Sequence, residues 1–460
     1  MSLAAFPVDP ALPGLQIASD HEEMRELLRR HLRPLPTNGW DIRDCRLSRV
    51  HYHRGDRCTL RYTLRLVEPR TGRERSQWAT GLICADDRAG RIWRKLRAAD
   101  PRQEVPQAFA TFEPLSLIPD LEMLVQIFPY DRHLPTLLRL TAVPLPDLEP
   151  LFLSQFGSGD WRIETWSNEP VQYRPGRVAV LRHTVQAREA LLATSEKKRF
   201  YVKVYRDEEE AEQAHRVLQL LRDRARVGGV TVAEPIAYLS GLRALVLGEV
   251  FGTSLQEILL QRQDAPAAVR KAARALAGFQ REPVAGLRHH RLQDEVAALK
   301  RAGQFLEWAC PHLRAQVEAI VSAVVADLDE VPPGPTHREL RTDHIFLDGG
   351  RLALIDLDSC AAADPLLDPA RVLADLAGLS LRLDLADDGR WKAAARVFAE
   401  EYLRDAPGPW RNRLFLHYAG AVLKEAVDFF RHQEPHWPEN IATLVEEARD
   451  ALSRRVLWAA

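Results

Sequence analysis

Apolar residues recur along this chain in two rhythms, and the change between them marks its elements. From Trp40 to about residue 130, short alternating runs are separated by polar turns, the pattern of strands with one buried face. Ahead of them, Asp20 before HEEMRELLRRHL predicts a capped helix behind a loose lead-in, since its carboxylate can satisfy the free N–H groups of a first turn. The Pro-rich stretch TAVPLPDLEP (141–150) interrupts the alternation and reads as a linker. Beyond residue 256 the period becomes helical, with apolar stripes over Val269–Phe279, Val296–Trp308, Val317–Leu328, 369–404 and 411–458.

One strand pattern occurs twice. Val50–Leu64 aligns without gaps on Val171–Val185 at an offset of 121 residues, with Val50/Val171, Tyr52/Tyr173, Gly55/Gly176, Leu60/Leu181, Arg61/Arg182 and Thr63/Thr184 identical. Each copy reads as strand, tight glycine turn and strand, then a third strand at Gln77–Cys84 or Arg199–Tyr205. An internal duplication of a small β-rich unit is the simplest account. The copies differ in charge. Phe200-Tyr-Val-Lys203-Val-Tyr places a lysine in an apolar strand, where its ammonium needs a partner. The matching position of the first copy falls at Thr80 or Gly81, so that copy has no lysine. The segment after Asp207 predicts a helix with an acidic first turn; Glu212 is the foremost partner for Lys203, with Glu208 and Glu209 as alternatives.

Composition narrows the class. The 460 residues, 46% hydrophobic and 28% charged, describe a globular protein of two or three domains, and a formal charge of −1 argues against a nucleic-acid partner. No apolar run suits a secretory signal or a membrane span, and five scattered cysteines without C-x-x-C spacing fit a reduced cytoplasmic setting without structural zinc. Cys360 reads as a small packed residue and His289-His290 as a surface pair.

The chemistry concentrates in Thr336–Asp368, THRELRTDHIFLDGGRLALIDLDSCAAADPLLD. Strand-like runs His344–Leu347 and Leu352–Leu357 flank an Asp348-Gly349-Gly350 hairpin signal, with His337, Glu339, Asp343 and His344 before it and Asp356 and Asp358 after it. A β-ribbon with carboxylates at both ends can hold a metal ion beside a reacting hydroxyl. This stretch resembles the catalytic and metal-binding segment of the aminoglycoside phosphotransferase and choline kinase-like family. That family has His-x-Asp-Leu-x-x-x-x-Asn, a hairpin, Ile-Asp-Phe/Leu-Asp and Asp-Pro-x-x-Asp; here Glu339 stands for the Asp and His344 for the Asn.

The resemblance implies an α+β, protein-kinase-like bilobal fold: an antiparallel β-sheet N-lobe and a mainly helical C-lobe, preceded by an additional N-lobe-like α+β domain. The expected domains are 1–145, 146–252 and 253–460. It implies Lys203 as nucleotide clamp, and hinge contacts from Leu247, Gly248, Glu249 or Val250, with Glu249 and Val250 foremost. Asp356, His344 and Asp358 become the metal ligands, Glu339 the hydroxyl-orienting catalytic group, and His337 the loop-bracing histidine of the catalytic motif. Asp343 is a candidate extra oxygen ligand, and Asp364 and Asp368 are candidates to cap the next helix and brace the loop. ATP or GTP with Mg2+, or Mn2+, would be the cofactors and a small-molecule hydroxyl the acceptor, with no membrane partner. The expected activity is ATP-dependent phosphorylation of a small molecule. The two changed motif positions make a catalytically impaired pseudokinase, a nucleotide-binding or regulatory module, the alternative.

Overall fold

The computed structural model describes residues 6–35, 39–98, 105–191, 194–228, 230–261, 265–348, 351–384 and 389–454. Gly349 and Gly350 of the hairpin turn lie outside the described residues. Contacts divide the chain into two compact units: residues up to Glu212 with Ile236–Gly248 and Arg431–Gln433, and Gln213–Pro235 with Glu249–Phe430 and the chain from Glu434.

The first unit holds two five-stranded antiparallel sheets. β1 (Asp41–His53), β2 (Arg57–Val67), β3 (Glu74–Cys84), β4 (Leu115–Ile118) and β5 (Met123–Ile127) pair in the order β1-β2-β3-β5-β4. β6 (Trp161–Arg174), β7 (Val178–Glu189) and β8 (Ser195–Tyr205) come next; after β9 (Val230–Val232), which pairs elsewhere, follow β10 (Pro235–Leu239) and β11 (Ala244–Gly248). The second order is β6-β7-β8-β11-β10, the same path through the sheet. A helix follows the third strand in each case, Arg88–Arg97 or Glu208–Gly228. The last hairpins share a 3-10 turn and a left-handed residue, Glu122 (φ 46°) or Arg243 (φ 49°).

The lead-in is ordered, and it too recurs. Phe6-Pro-x-Asp9-x-x-Leu12-Pro-x-Leu15 reappears as Phe128-Pro-x-Asp131-x-x-Leu134-Pro-x-Leu137, each copy preceding its sheet. Phe6, Leu12 and Leu15 are buried, as are Phe128, Leu134 and Leu137. Farther on, Asp20 caps the His21–His31 helix, accepting the Glu22 and Glu23 N–H groups at 2.9 Å. The Pro-rich stretch is also packed: Leu145 and Leu148 share a core with Phe128, Phe152, Tyr173, Leu181, Phe200 and Val202. Trp78 of β3 stacks on Tyr173 of β6 (5.8 Å, 21°), and Phe152 stacks on Phe200 (4.3 Å, 8°). Burial of each such side chain contributes about 1.5–3 kcal/mol.

The second unit is mainly helical. Its helices include Ala265–Gln280, Leu292–Ala309, Arg314–Asp327, Leu367–Arg382 and Trp437–Arg454. Among them lie two small sheets. β12 (Thr253–Ser254), β14 (Ile345–Asp348) and β15 (Arg351–Leu354) pair antiparallel, and β9 adds to β15 in parallel. β13 (Gly334–Thr336) pairs antiparallel with β16 (Ala361–Ala363). Gly252 makes the β12–β14 approach possible: it has φ 105°, and a Cβ there would lie 2.5 Å from the Leu347 carbonyl oxygen. Among the described residues no helix is long and apolar enough to cross a membrane.

Two consequences can be measured. Gly252→Ala should destabilise the chain by more than ~1 kcal/mol, read as a lower urea midpoint. His183, fully buried on β7, accepts the Trp166 indole N–H at 3.0 Å, and burial holds its pKa down at about 4 rather than 6.5. Below pH 6.5 the unfolded chain binds a proton that the folded chain refuses until about pH 4. Stability should therefore fall across that window, by about 3 kcal/mol from this group. Urea titrations at pH 7 and 4.5 should show a steeper loss for the native chain than for His183→Gln.

Candidate active site

β13 leads into His337 and β16 leaves Cys360, so the pairing of Thr336 with Ala361 sets the two polar segments side by side. A carboxylate fixes the first of them. Asp368, fully buried in the first turn of the Leu367–Arg382 helix, accepts the His337 N–H at 2.8 Å, the Arg338 N–H at 2.7 Å and the Gln280 amide at 2.9 Å. Burial raises its pKa despite those partners. Arg338 is left-handed (φ 70°) and also donates to the Ser359 carbonyl at 3.1 Å. Such a backbone costs about 1–3 kcal/mol, persists only where its surroundings over-determine it, and concentrates at functional sites.

His337 is fully buried, and its Nε2–H donates at 2.8 Å to the Ile355 carbonyl, one residue before Asp356. Burial, with His344 beside it, lowers its pKa and keeps the ring neutral. These contacts give it a bracing role between the two segments. Asp356 is left-handed (φ 59°, ψ 47°) and half-buried, and it opens the short 3-10 turn that carries Asp358. Aspartate tolerates that conformation better than most residues, and the turn redirects the backbone as the chain leaves β15.

Glu339 is exposed, and its Oε1 accepts the Ser359 hydroxyl at 3.2 Å. The longer side chain is thus tied to the turn that begins at Asp356. His344 donates Nδ1–H to the Glu339 carbonyl at 3.1 Å and stacks on His337 (5.5 Å, 15°). In the neutral ring that bond leaves the lone pair on Nε2, the way a metal-binding imidazole is usually oriented. Asp343 Oδ1 lies 3.8 Å from that Nε2. Asp375 secures the intervening turn, accepting the Thr342 N–H at 2.8 Å and its hydroxyl at 2.7 Å.

Among the described residues no three His, Cys, Asp or Glu side chains converge as a metal cage, so Asp356, His344 and Asp358 are not a closed three-ligand site. Mg2+ characteristically takes one or two carboxylates and completes its shell with water and phosphate oxygens. The Ile355 N–H donates to the His344 carbonyl at 3.2 Å, so Asp356 and His344 stand at neighbouring positions, one carboxylate and one imidazole, a donor set that suits Mn2+ better than Mg2+. Asp364 accepts the Leu366 N–H at 3.0 Å ahead of the next helix. Cys360 is an inert packed thiol, its pKa pushed up to about 12 by burial.

On the first unit, Lys203 lies on β8, the central strand of its sheet, opposite Val180 and Leu245, and is only 6% exposed. Its ammonium lies 5.9 Å over the Tyr205 ring. The register corrects the comparison with the first sheet: Leu82, opposite Thr59 and Leu124, holds the Lys203 position, rather than Thr80 or Gly81. Glu212 is exposed on its helix, while Glu208 accepts the Tyr238 hydroxyl. Glu249 and Val250 are half-buried, directly after β11.

A second polar feature escaped the sequence reading. A cavity of about 300 Å³ opens at the far end of the β13–β16 ribbon, lined by His290, Glu295, Asp329, Glu330, Asp364 and His417 among others. His290 contacts Glu295 at 3.2 Å, and both it and the more exposed His289 line the cavity. Burial alone would raise the Glu295 carboxyl, but Lys424 and His290 hold it well below the usual carboxylate range. His417 donates to Asp364 at 2.9 Å. Only the spatial return of the 417 region, which no local pattern encodes, completes this wall.

Similar solved structures include an ethanolamine kinase from Plasmodium vivax, 11% identical over 64% of this chain and 85% of that one (TM-score 0.42). A macrolide 2'-phosphotransferase from Brachybacterium faecium is 16% identical over 65% and 98% (TM-score 0.39). A choline/ethanolamine kinase family protein from Mesorhizobium loti is 13% identical over 69% and 96% (TM-score 0.42). No curated protein matches the chain. Residues 177–411, just over half of the 460, match the phosphotransferase enzyme family, and the match runs from the turn ahead of β7 through the braced loop and the Asp356 turn. The chain belongs to the phosphotransferase enzyme family.

Proposed function

We propose that this chain transfers the γ-phosphoryl group of ATP, or of GTP, to a hydroxyl of a small molecule. The observation that carries the reading is the braced pair of segments: Asp368 fixes the Glu339 loop, and His337 links it to the residue before Asp356. Such transfer needs positioning and charge stabilisation more than covalent help. Lys203 binds the nucleotide phosphates, and Glu249 and Val250 offer backbone groups to the base. Asp356, with the Nε2 of His344, would hold the divalent ion. When bound, that ion would neutralise charge on the phosphate oxygens; the imidazole favours Mn2+ beside Mg2+.

Glu339 orients the acceptor hydroxyl and takes its proton. Its extra methylene relative to aspartate is offset by the Ser359 hydroxyl, which restricts where the carboxylate can go. The acceptor enters as a small molecule with its hydroxyl at Glu339. A cytoplasmic enzyme drawing on the ATP pool fits this chemistry. The pseudokinase alternative rests on Glu339 and His344 standing where the family motif has Asp and Asn.

Turnover of ATP with Mg2+ or Mn2+, with and without a panel of polyhydroxylated and amino-alcohol acceptors, tests the reading. Asp356→Ala should abolish the rate. Lys203→Ala should weaken nucleotide binding at least 10-fold. Glu339→Gln should cut turnover by about 100-fold or more, with nucleotide affinity within 3-fold of wild type. Nucleotide binding without turnover in the native chain, and no gain in Glu339→Asp/His344→Asn, would overturn the transferase and leave the module.

A further inference from the structure

The turn between β6 and β7 already has an anion as its partner. Gly176, at the tip, is left-handed (φ 69°), and its N–H donates to Asp131 Oδ2 at 2.7 Å. The same oxygen accepts the Tyr173 hydroxyl at 2.9 Å, and Oδ1 accepts the His133 N–H at 2.8 Å. Asp131 is 4% exposed, and Tyr173 is buried against Trp78 and Phe128. The tip is closely covered, since a Cβ on Gly176 would lie 3.2 Å from the His133 ring.

The arrangement is built twice. In the first sheet Asp9 Oδ2 accepts the Tyr52 hydroxyl at 2.6 Å and the Gly55 N–H at 2.9 Å, and Oδ1 accepts the Ala11 N–H at 3.0 Å. Both carboxylates occupy the fourth position of the recurring Phe-Pro-x-Asp-x-x-Leu-Pro-x-Leu segment. Three matched hydrogen bonds at two places in one chain mark a designed contact. Asp131 itself belongs to the segment directly after β5, so the end of the first sheet grips the turn of the second.

In kinases the turn between the first two strands of the lysine-bearing sheet covers the nucleotide phosphates, and its N–H groups are free to meet them. A left-handed glycine N–H is a natural anion donor. Here a carboxylate occupies that donor and adds a negative charge beside it. We propose that Asp131 is a built-in anion that substitutes for phosphate at the β6–β7 turn, making the preceding segment a latch that sets nucleotide affinity. This rests on the nucleotide-binding reading above. Phosphate is then held without the turn, through Lys203. Asp131 is a positioning residue: it acts on the nucleotide through the turn.

The test separates phosphate contact from general integrity. MgATP and adenosine are titrated calorimetrically into the full-length native chain, Asp131→Asn, Asp131→Ala, Asp9→Asn and Lys203→Ala, with amide exchange of residues 174–178 followed in each. Removing the charge with Asp131→Asn, or the whole acceptor with Asp131→Ala, should speed exchange at Gly176. Either should tighten MgATP about 5- to 10-fold and leave adenosine within 2-fold, the scale of one charge-assisted hydrogen bond gained. Asp9→Asn, in the sheet without the lysine, should leave MgATP affinity unchanged. Unchanged or weaker MgATP binding in both Asp131 variants, with native binding still lost in Lys203→Ala, overturns the latch and leaves the phosphotransferase reading standing. No nucleotide binding by the native chain overturns both. Parallel loss of MgATP and adenosine affinity would show a merely structural role and also overturns it.

Discussion

The second unit depends on the burial of one carboxylate. Asp368 is removed from water completely, which costs several kcal/mol for an ion unless its oxygens are bonded. It is bonded by the N–H groups of His337 and Arg338 and by Gln280, and those bonds hold Arg338 in a backbone it would not otherwise keep. The position of Glu339, the donor carried by His337 and the bond from Arg338 to Ser359 all follow from that anchorage. A short chain of contacts thus converts one buried charge into a fixed relation between the two polar segments of the site.

The first unit shows the same economy in another form. Two sheets of the same strand order share a core, yet only one carries a buried lysine; Leu82 fills the matching place in the other. With Leu82 there, the first sheet lacks the cation that would answer a phosphate. Its closing segment instead packs Phe128 on Tyr173 and sends Asp131 to Gly176. The sheet without the lysine is thereby tied to the turn of the sheet that carries it.

Much of this was legible in the residues, for physical reasons that can be named. Alternation located β2 and β7 because each has one buried face, and Asp20 declared its helix because capping is local. The Thr336–Asp368 segment was readable because its polar residues sit at fixed spacings around a hairpin. The register of Lys203 was misjudged by one or two positions, since a charged hairpin of uncertain length precedes it and strand pairing alone fixes the count. Residues 6–15 looked loose because prolines and glycine mask any period; their order comes from Asp9 reaching Tyr52 and Gly55 over more than 40 residues. The cavity wall at His417 and the grip of Asp375 on Thr342 are likewise contacts across long stretches of chain.

The central claim is that the Asp356 turn and the Glu339 loop form a metal-assisted phosphoryl-transfer site. A crystal structure with a non-hydrolysable ATP analogue and Mn2+, read by the anomalous signal of the ion, tests it most directly. The account predicts an ion coordinated by Asp356 and the Nε2 of His344, shared with nucleotide phosphate oxygens, and Lys203 bonded to the phosphates. An ordered nucleotide with no ion at Asp356, or one that leaves Lys203 untouched, would contradict it.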